Sequence, residues 1–199
     1  MDITAICNVA SDRPEMWYNI AVQHDETRRD KGMESKEQPK KKVYVETTVI
    51  SDATALPTND LALMGRQITT RGWWATAAAR FELYSSAVVR REAMRGDPDA
   101  ARRRIEALAA MPELPMSTEA ARLADKLIVG KAVPKEYLDD ALHIAMSAIY
   151  RMDYLVSWNF RHITNAQTIP LIKRICSENG FACPEICTPY QLQEDGGDA

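Results

Sequence analysis

Val43-Tyr44-Val45-Glu46-Thr47-Thr48-Val49-Ile50 is the stretch on which the fold turns. Two β-branched residues and one aromatic follow a run of lysines and stop at an acid and two hydroxyls, which reads as a strand over 43–45. The hydroxyls of Thr47 and Thr48 suit the cap of a helix beginning there. Tyr154-Leu155-Val156 repeats the strand signal far downstream, directly after the strongest helical pattern in the chain, 134–150. In that helix Leu138, Ala141, Leu142, Ala145 and Ile149 form an apolar stripe. Strands separated by helices imply an α/β fold with a mainly parallel central sheet flanked by helices.

The intervening segments fill in the same alternation. Asn59-Asp60 opens a helical stretch over 61–79 with Leu63, Met64 and Ile68 in phase, and Gly72 is expected to break it in two. A short strand is expected over 81–85, and a helix over 87–95 is stopped by Gly96. Pro98 starts another helix in its first turn. Ser117 and Thr118 cap a further one that ends at Gly130, and a last helix over 168–179 is closed by Gly180. Glu185-Ile186-Cys187 reads as an edge strand before a polar, flexible tail, 193–199.

Residues 1–42 have a different character. The segment 25–42 is almost wholly polar and ends in Pro39-Lys40-Lys41-Lys42, so it reads as an extension or linker, with short apolar stretches at 3–10 and 16–22 upstream. Met33 is an alternative start for the working protein. The domain proper is expected over 43–192. Its composition is ordinary, 46% hydrophobic and 27% charged over 199 residues, which excludes wholesale disorder. A net charge of -3 excludes a global polycationic field for nucleic acid. No apolar run reaches membrane-spanning length and no signal peptide is evident, so a soluble, cytoplasmic protein with no membrane partner is expected. Cys7, Cys176, Cys183 and Cys187 are expected to be free thiols, and Cys183 and Cys187 lack the second pair a zinc site needs.

Sites in open α/β sheets form at the carboxyl ends of strands. Glu46 follows the first strand at once, Asn159 stands three residues past Val156, Glu92 lies on the helix after the second strand, and Asp140 lies in the first half of the strongest helix. Three carboxylates and an amide in one place would suit a hard divalent cation and phosphodiester hydrolysis, although spacing alone leaves 28 acids that can be grouped in many ways.

The residues also resemble a family. Val43 to Ile50 looks like the opening strand of PIN-domain nucleases, with Glu46 in the place of the first acid. The segment 83–96 resembles the family's second block, with Glu92 as its acid, and Asp140-Ala141-Leu142-His143-Ile144-Ala145 resembles the helix-borne Asp-Ala-Leu block. Leu155-Val156-Ser157-Trp158-Asn159 is similar to the last block, where the acid is here Asn159. Four blocks in the right order make the chain resemble a VapC-like PIN domain. That resemblance implies the PIN-like fold and an Mg²⁺- or Mn²⁺-dependent endoribonuclease that hydrolyses RNA by metal-activated water. It implies Glu46, Glu92, Asp140 and Asn159 as catalytic and metal residues, an RNA substrate, and a toxin role with a cognate antitoxin; a homodimer is a further partner class. Glu for Asp at 46 keeps the charge, and Asn at 159 removes one while keeping a carbonyl oxygen for metal or its water. The alternative is a catalytically degenerate PIN-like module that binds protein or RNA.

Other residues carry two readings each. Thr47 and Thr48 cap a helix or donate to phosphate; His162 touches substrate or holds its loop; Arg90 and Arg91 belong to a local excess of nine arginines over four acids in 61–105 that suits RNA backbone. His143 reads as a histidine bonded to a neighbour, Asp139 as a solvated acid, and Trp73 and Trp74 as core or dimer contacts before base-stacking platforms.

Overall fold

The structure, a computed structural model, describes residues 39–193. The readings for 1–38, Cys7 among them, and for the tail 194–199 lie outside the described residues. Five parallel strands form one sheet: β1 (Lys41–Val45), β2 (Phe81–Ser86), β3 (Glu113–Leu114), β4 (Tyr154–Val156) and β5 (Glu185–Cys187), in the order β3-β2-β1-β4-β5. Seven helices connect and flank them: α1 (Thr47–Thr54), α2 (Leu61–Arg80), α3 (Ala87–Ala93), α4 (Pro98–Leu108), α5 (Thr118–Val129), α6 (Leu138–Ile149) and α7 (Ile169–Glu178). This is the α/β architecture expected, and it is consistent with a PIN-like fold.

β1 is central because its outer half is wholly apolar. Val43, Tyr44 and Val45 have no exposed surface, and they pair with Leu83 and Tyr84 of β2 on one side and with Tyr154, Leu155 and Val156 of β4 on the other. The strand starts at Lys41, two residues before the apolar run, because the Lys42 N–H and the Lys41 ammonium both bond to Asp153 at the foot of β4. From β1 the chain lays down β2 and β3 on one side, then returns to lay β4 and β5 on the other. The connection therefore changes direction between β1 and β4, which is where the carboxyl edge of such a sheet opens a crevice.

Four details differ from the sequence reading. α2 runs unbroken through Gly72, which faces outward with nothing crowding it, so the glycine costs only about 1 kcal/mol of helix propensity. Its buried face is Gln67, Thr70, Trp73 and Ala77, while Ile68 points to solvent. The Trp158 indole N–H donates to the Thr70 hydroxyl at 2.8 Å, which satisfies a hydroxyl on the same buried face as Trp73 and Ala77. α6 begins at Leu138 after a single 3₁₀ turn at Lys135–Tyr137, and every residue from Ala141 to Ala148 is buried, which makes it a core helix and not a one-sided one. β3 was not foreseen; Glu113 and Leu114 carry no strand signal, and their bridge to Ser85 and Ser86 forms by position alone.

Candidate metal centre

The carboxyl end of β1 delivers Glu46 directly into the crevice. Its backbone N–H binds the Val156 carbonyl of β4 at 3.1 Å, and its carboxylate accepts from the Thr48 N–H (3.1 Å), the Thr48 hydroxyl and the Ser157 hydroxyl (2.7 Å). Glu46 itself is therefore the N-cap of α1. The expectation that Thr47 or Thr48 caps that helix is corrected: the Glu46 carboxylate folds back over its own turn and takes the cap. Thr48 is left to accept the Trp158 N–H at 2.9 Å, and Thr47 donates to Glu92.

Glu92 comes from α3, which is capped by the Ser86 hydroxyl at the end of β2. His143 of α6 meets it from below: its Nε2–H donates to Glu92 at 2.9 Å, and its Nδ1 shares a 2.8 Å hydrogen bond with the Tyr44 hydroxyl, which in turn bonds Ser86 at 2.6 Å. A buried polar chain thus ties β1, β2, α3 and α6 together under the site. Single ligand atoms of Glu46, Glu92 and His143 lie within 4.8 Å of one another. His143 was read as a structural histidine and does hold a neighbour, but that neighbour is a carboxylate of the site.

Asp140 and Asn159 complete the crevice, which has a volume of about 370 Å³ and is lined by Glu46, Thr47, Thr48, Glu92, Asp140 and Asn159, with Ser51, Asp52, Arg66 and Arg95 at its margin. The four residues expected at the site all line this crevice, while the ligand atoms that lie within 4.8 Å of one another are those of Glu46, Glu92 and His143, without Asp140. Asn159 differs in its role: its Oδ1 accepts the Arg161 N–H (3.2 Å) and the His162 N–H (3.0 Å), and its amide favours the ionised form of Asp140. Because two backbone donors claim the oxygen, the nitrogen must face the carboxylate. The carbonyl expected to bind metal is spent on the loop, and Asn159 orients Asp140 instead.

The electrostatics follow from burial and crowding. Burial pushes the Glu46 carboxyl up from its ordinary range, against the opposing pull of His143 and the hydroxyl donors. Burial also raises Asp140, with Asn159 and His143 opposing. For Glu92 burial is outweighed by the hydrogen bond and charge of His143 and by Thr47, and its carboxyl is held below the usual range. His143 loses by burial but gains more from Glu92, Glu46 and Asp140, so its proton is held more tightly than usual. Three carboxylates in one partly closed hollow, two of them reluctant to ionise without a cation, are a donor set that fits a hard divalent ion.

The other expected contacts sit elsewhere. Arg90 pairs with Glu113, and Arg91 and Arg95 pair with Asp139, so Asp139 is a paired acid and not a solvated one. Of the nine arginines, Arg71, Arg103 and Arg104 donate to carbonyls at the ends of α1 and α3, Arg66 pairs with Asp52, Arg102 with Asp99, and Arg80 lies over the Phe81 ring. Each of the nine thus has a partner among the described residues, and Arg66 and Arg95 also line the crevice. His162 is buried against the Tyr137 ring, centroids 3.9 Å apart, and does not line the crevice. Trp73 is core and meets Trp74 edge-on. Cys176, Cys183 and Cys187 are free thiols.

Sequence reasoning missed the Asp52–Arg66 pair and gave Ser157 no role, while Arg95 was noted only within the arginine excess. Only Ser157 carried a signal, as the first residue past the β4 strand. No protein-family model matches the chain, and no curated protein matches it. Among the described residues no helix is long and apolar enough to cross a membrane.

Proposed function

We propose that the chain is a divalent-metal-dependent endoribonuclease that hydrolyses RNA phosphodiester bonds, acting in the cytoplasm as the toxin of a toxin–antitoxin pair. The observation that carries the nuclease reading is the convergence of Glu46, Glu92 and Asp140, from three separate elements, in one crevice at the carboxyl edge of the sheet. The toxin role and the antitoxin partner rest on the resemblance of the four sequence blocks to VapC-like PIN domains.

Mg²⁺ or Mn²⁺ would be held by Glu46, Glu92 and Asp140, and when bound supplies neutralisation of phosphate charge and acidification of a water. The chain's own residues do the positioning. Thr48 and Ser157 aim Glu46; Thr47 and His143 aim Glu92; the Asn159 amide aims Asp140. Arg95, at the margin, is the cation placed to meet an incoming phosphate. No side chain is needed as a nucleophile.

The test is cleavage of a mixed RNA panel in Mg²⁺, in Mn²⁺ and in EDTA, with Asp140→Asn as the paired control. Cleavage that disappears with EDTA and with the variant is the expected result. Folded, antitoxin-free protein that cleaves nothing would overturn it and favour a binding module, with Asn159 in the acid's place as the reason.

A further inference from the structure

Beside the acidic crevice lies a larger cavity of about 670 Å³, a volume usual for ligand sites. Arg66 lines both hollows, so they adjoin at its guanidinium, which Asp52 holds at 2.8 Å and the Trp158 ring supports from 5.5 Å. The loop after β4 divides its side chains between the two: Asn159 lines the acidic crevice, while Trp158 and Phe160, its immediate neighbours, line the larger cavity.

The lining has a definite chemistry. Phe160 is 54% exposed and meets Trp158 edge-on at 5.8 Å, and Tyr190, on the 3₁₀ turn Pro189–Leu192, is 68% exposed. Large aromatic rings left open to solvent are free to stack on another ring. Among the described residues no carboxylate lines the cavity, and Arg66 is its one charged residue.

We propose that this cavity is a nucleobase subsite, which takes an unstacked base of single-stranded RNA next to the phosphate presented to the acidic crevice. The proposal rests on the ribonuclease reading above. A flat ring attached to a polyanion uses these features: the open aromatic faces stack it, and a described lining with Arg66 and no acid spares the phosphates. A paired base has both faces covered by its neighbours, so only an unpaired one reaches Phe160.

The experiment uses the full chain carrying Asp140→Asn, to prevent cleavage, and a short fluorescein-labelled single-stranded RNA of mixed sequence read by anisotropy. Phe160→Ala and Tyr190→Ala are each expected to raise Kd roughly tenfold, whereas Phe160→Tyr, which keeps a ring, stays within about twofold. Phe160→Leu keeps apolar bulk without the ring and is expected to behave like the alanine variant, which separates stacking from folding. A fully paired duplex of the same sequence should compete poorly. Unchanged Kd in both alanine variants, or a duplex that competes as well as the single strand, overturns the subsite. Cleavage by the parent chain is measured alongside: cleavage with a Kd indifferent to Phe160 sinks the subsite alone, and neither cleavage nor binding sinks both readings. Variants that bind RNA normally but fail to retain a co-purifying protein would assign the cavity to a peptide and overturn the proposal.

Discussion

Asp140 and His143 stand three residues apart on α6 and do opposite work. Asp140 faces the crevice with the Asn159 amide as its partner, whereas both nitrogens of His143 are engaged, one by Glu92 and one by Tyr44. A side chain with no free nitrogen is a positioning residue, and its loss is felt first by the core. His143→Ala is expected to lower unfolding free energy by about 2–4 kcal/mol in urea titration, from the cavity and from Glu92 left without its donor. Mn²⁺ affinity measured by calorimetry on the folded variant should fall less than it does for Asp140→Asn; an equal fall would make His143 a ligand. At this scale the sequence showed which residues meet but not how they point. Asn159 was legible as a site residue from its place three past Val156; that its oxygen serves the loop depends on two backbone N–H groups whose direction no side chain announces. His143 shares a flank with Asp140 at helical spacing, but nothing in the sequence distinguishes a partner of Glu92 from a partner of the core.

Helix ends show the same division between identity and use. Gly96 and Gly180 close α3 and α7 with φ of 86° and 83°, a backbone region open to glycine, as expected of residues past a helix end. Gly130 also ends its helix, but at φ -74°, and the left-handed position passes to Lys131. Gly130 is there for room: a Cβ on it would lie 2.5 Å from the Ile175 Cδ1 and 3.0 Å from the Lys126 carbonyl, where α5 meets α7. Gly130→Ala is therefore expected to destabilise by about 1–3 kcal/mol, as overpacking does. Adding Ile175→Val removes the nearest atom and should restore part of that loss in a double-mutant cycle; strict additivity would place the glycine's importance elsewhere. Strands with β-branched and aromatic residues, β1 and β4, were readable as such. β3 was not, because two residues held by the neighbouring β2 need no propensity of their own.

Across the whole molecule the site acts as a reservoir of protons. Glu46, Asp140 and His143 all have folded values above their ordinary ones. Each therefore contributes stability that is full below its unfolded pKa and is lost as pH rises through its folded one. Glu92 and His162 are lowered and work the other way: Glu92 loses its contribution as pH falls below the ordinary carboxylate range, and His162, depressed by burial and then by Arg161, as pH falls through its own. In EDTA the melting temperature is expected to fall as pH rises from about 5 to 8, the window set by the usual carboxylate and histidine values. With Mn²⁺ present the decline should shrink or reverse, since ligands bind metal in their deprotonated forms. A melting temperature that rises with pH in EDTA would show that the three groups are not protonated together in the folded chain.

Glu46 closes α1 and also lines the crevice. That double duty sets the order in which the chemistry could decay under neutral drift. A lineage that ceased to need the reaction can shed Asp140, which caps no helix end and is eased by the Asn159 amide alone among neighbouring hydrogen-bond donors of the described residues, at little structural cost. It cannot shed Glu46 so freely, because the same substitution uncaps a helix and strands the hydroxyls of Thr48 and Ser157. An inactive descendant of this chain should therefore still carry its first acid long after its third has gone.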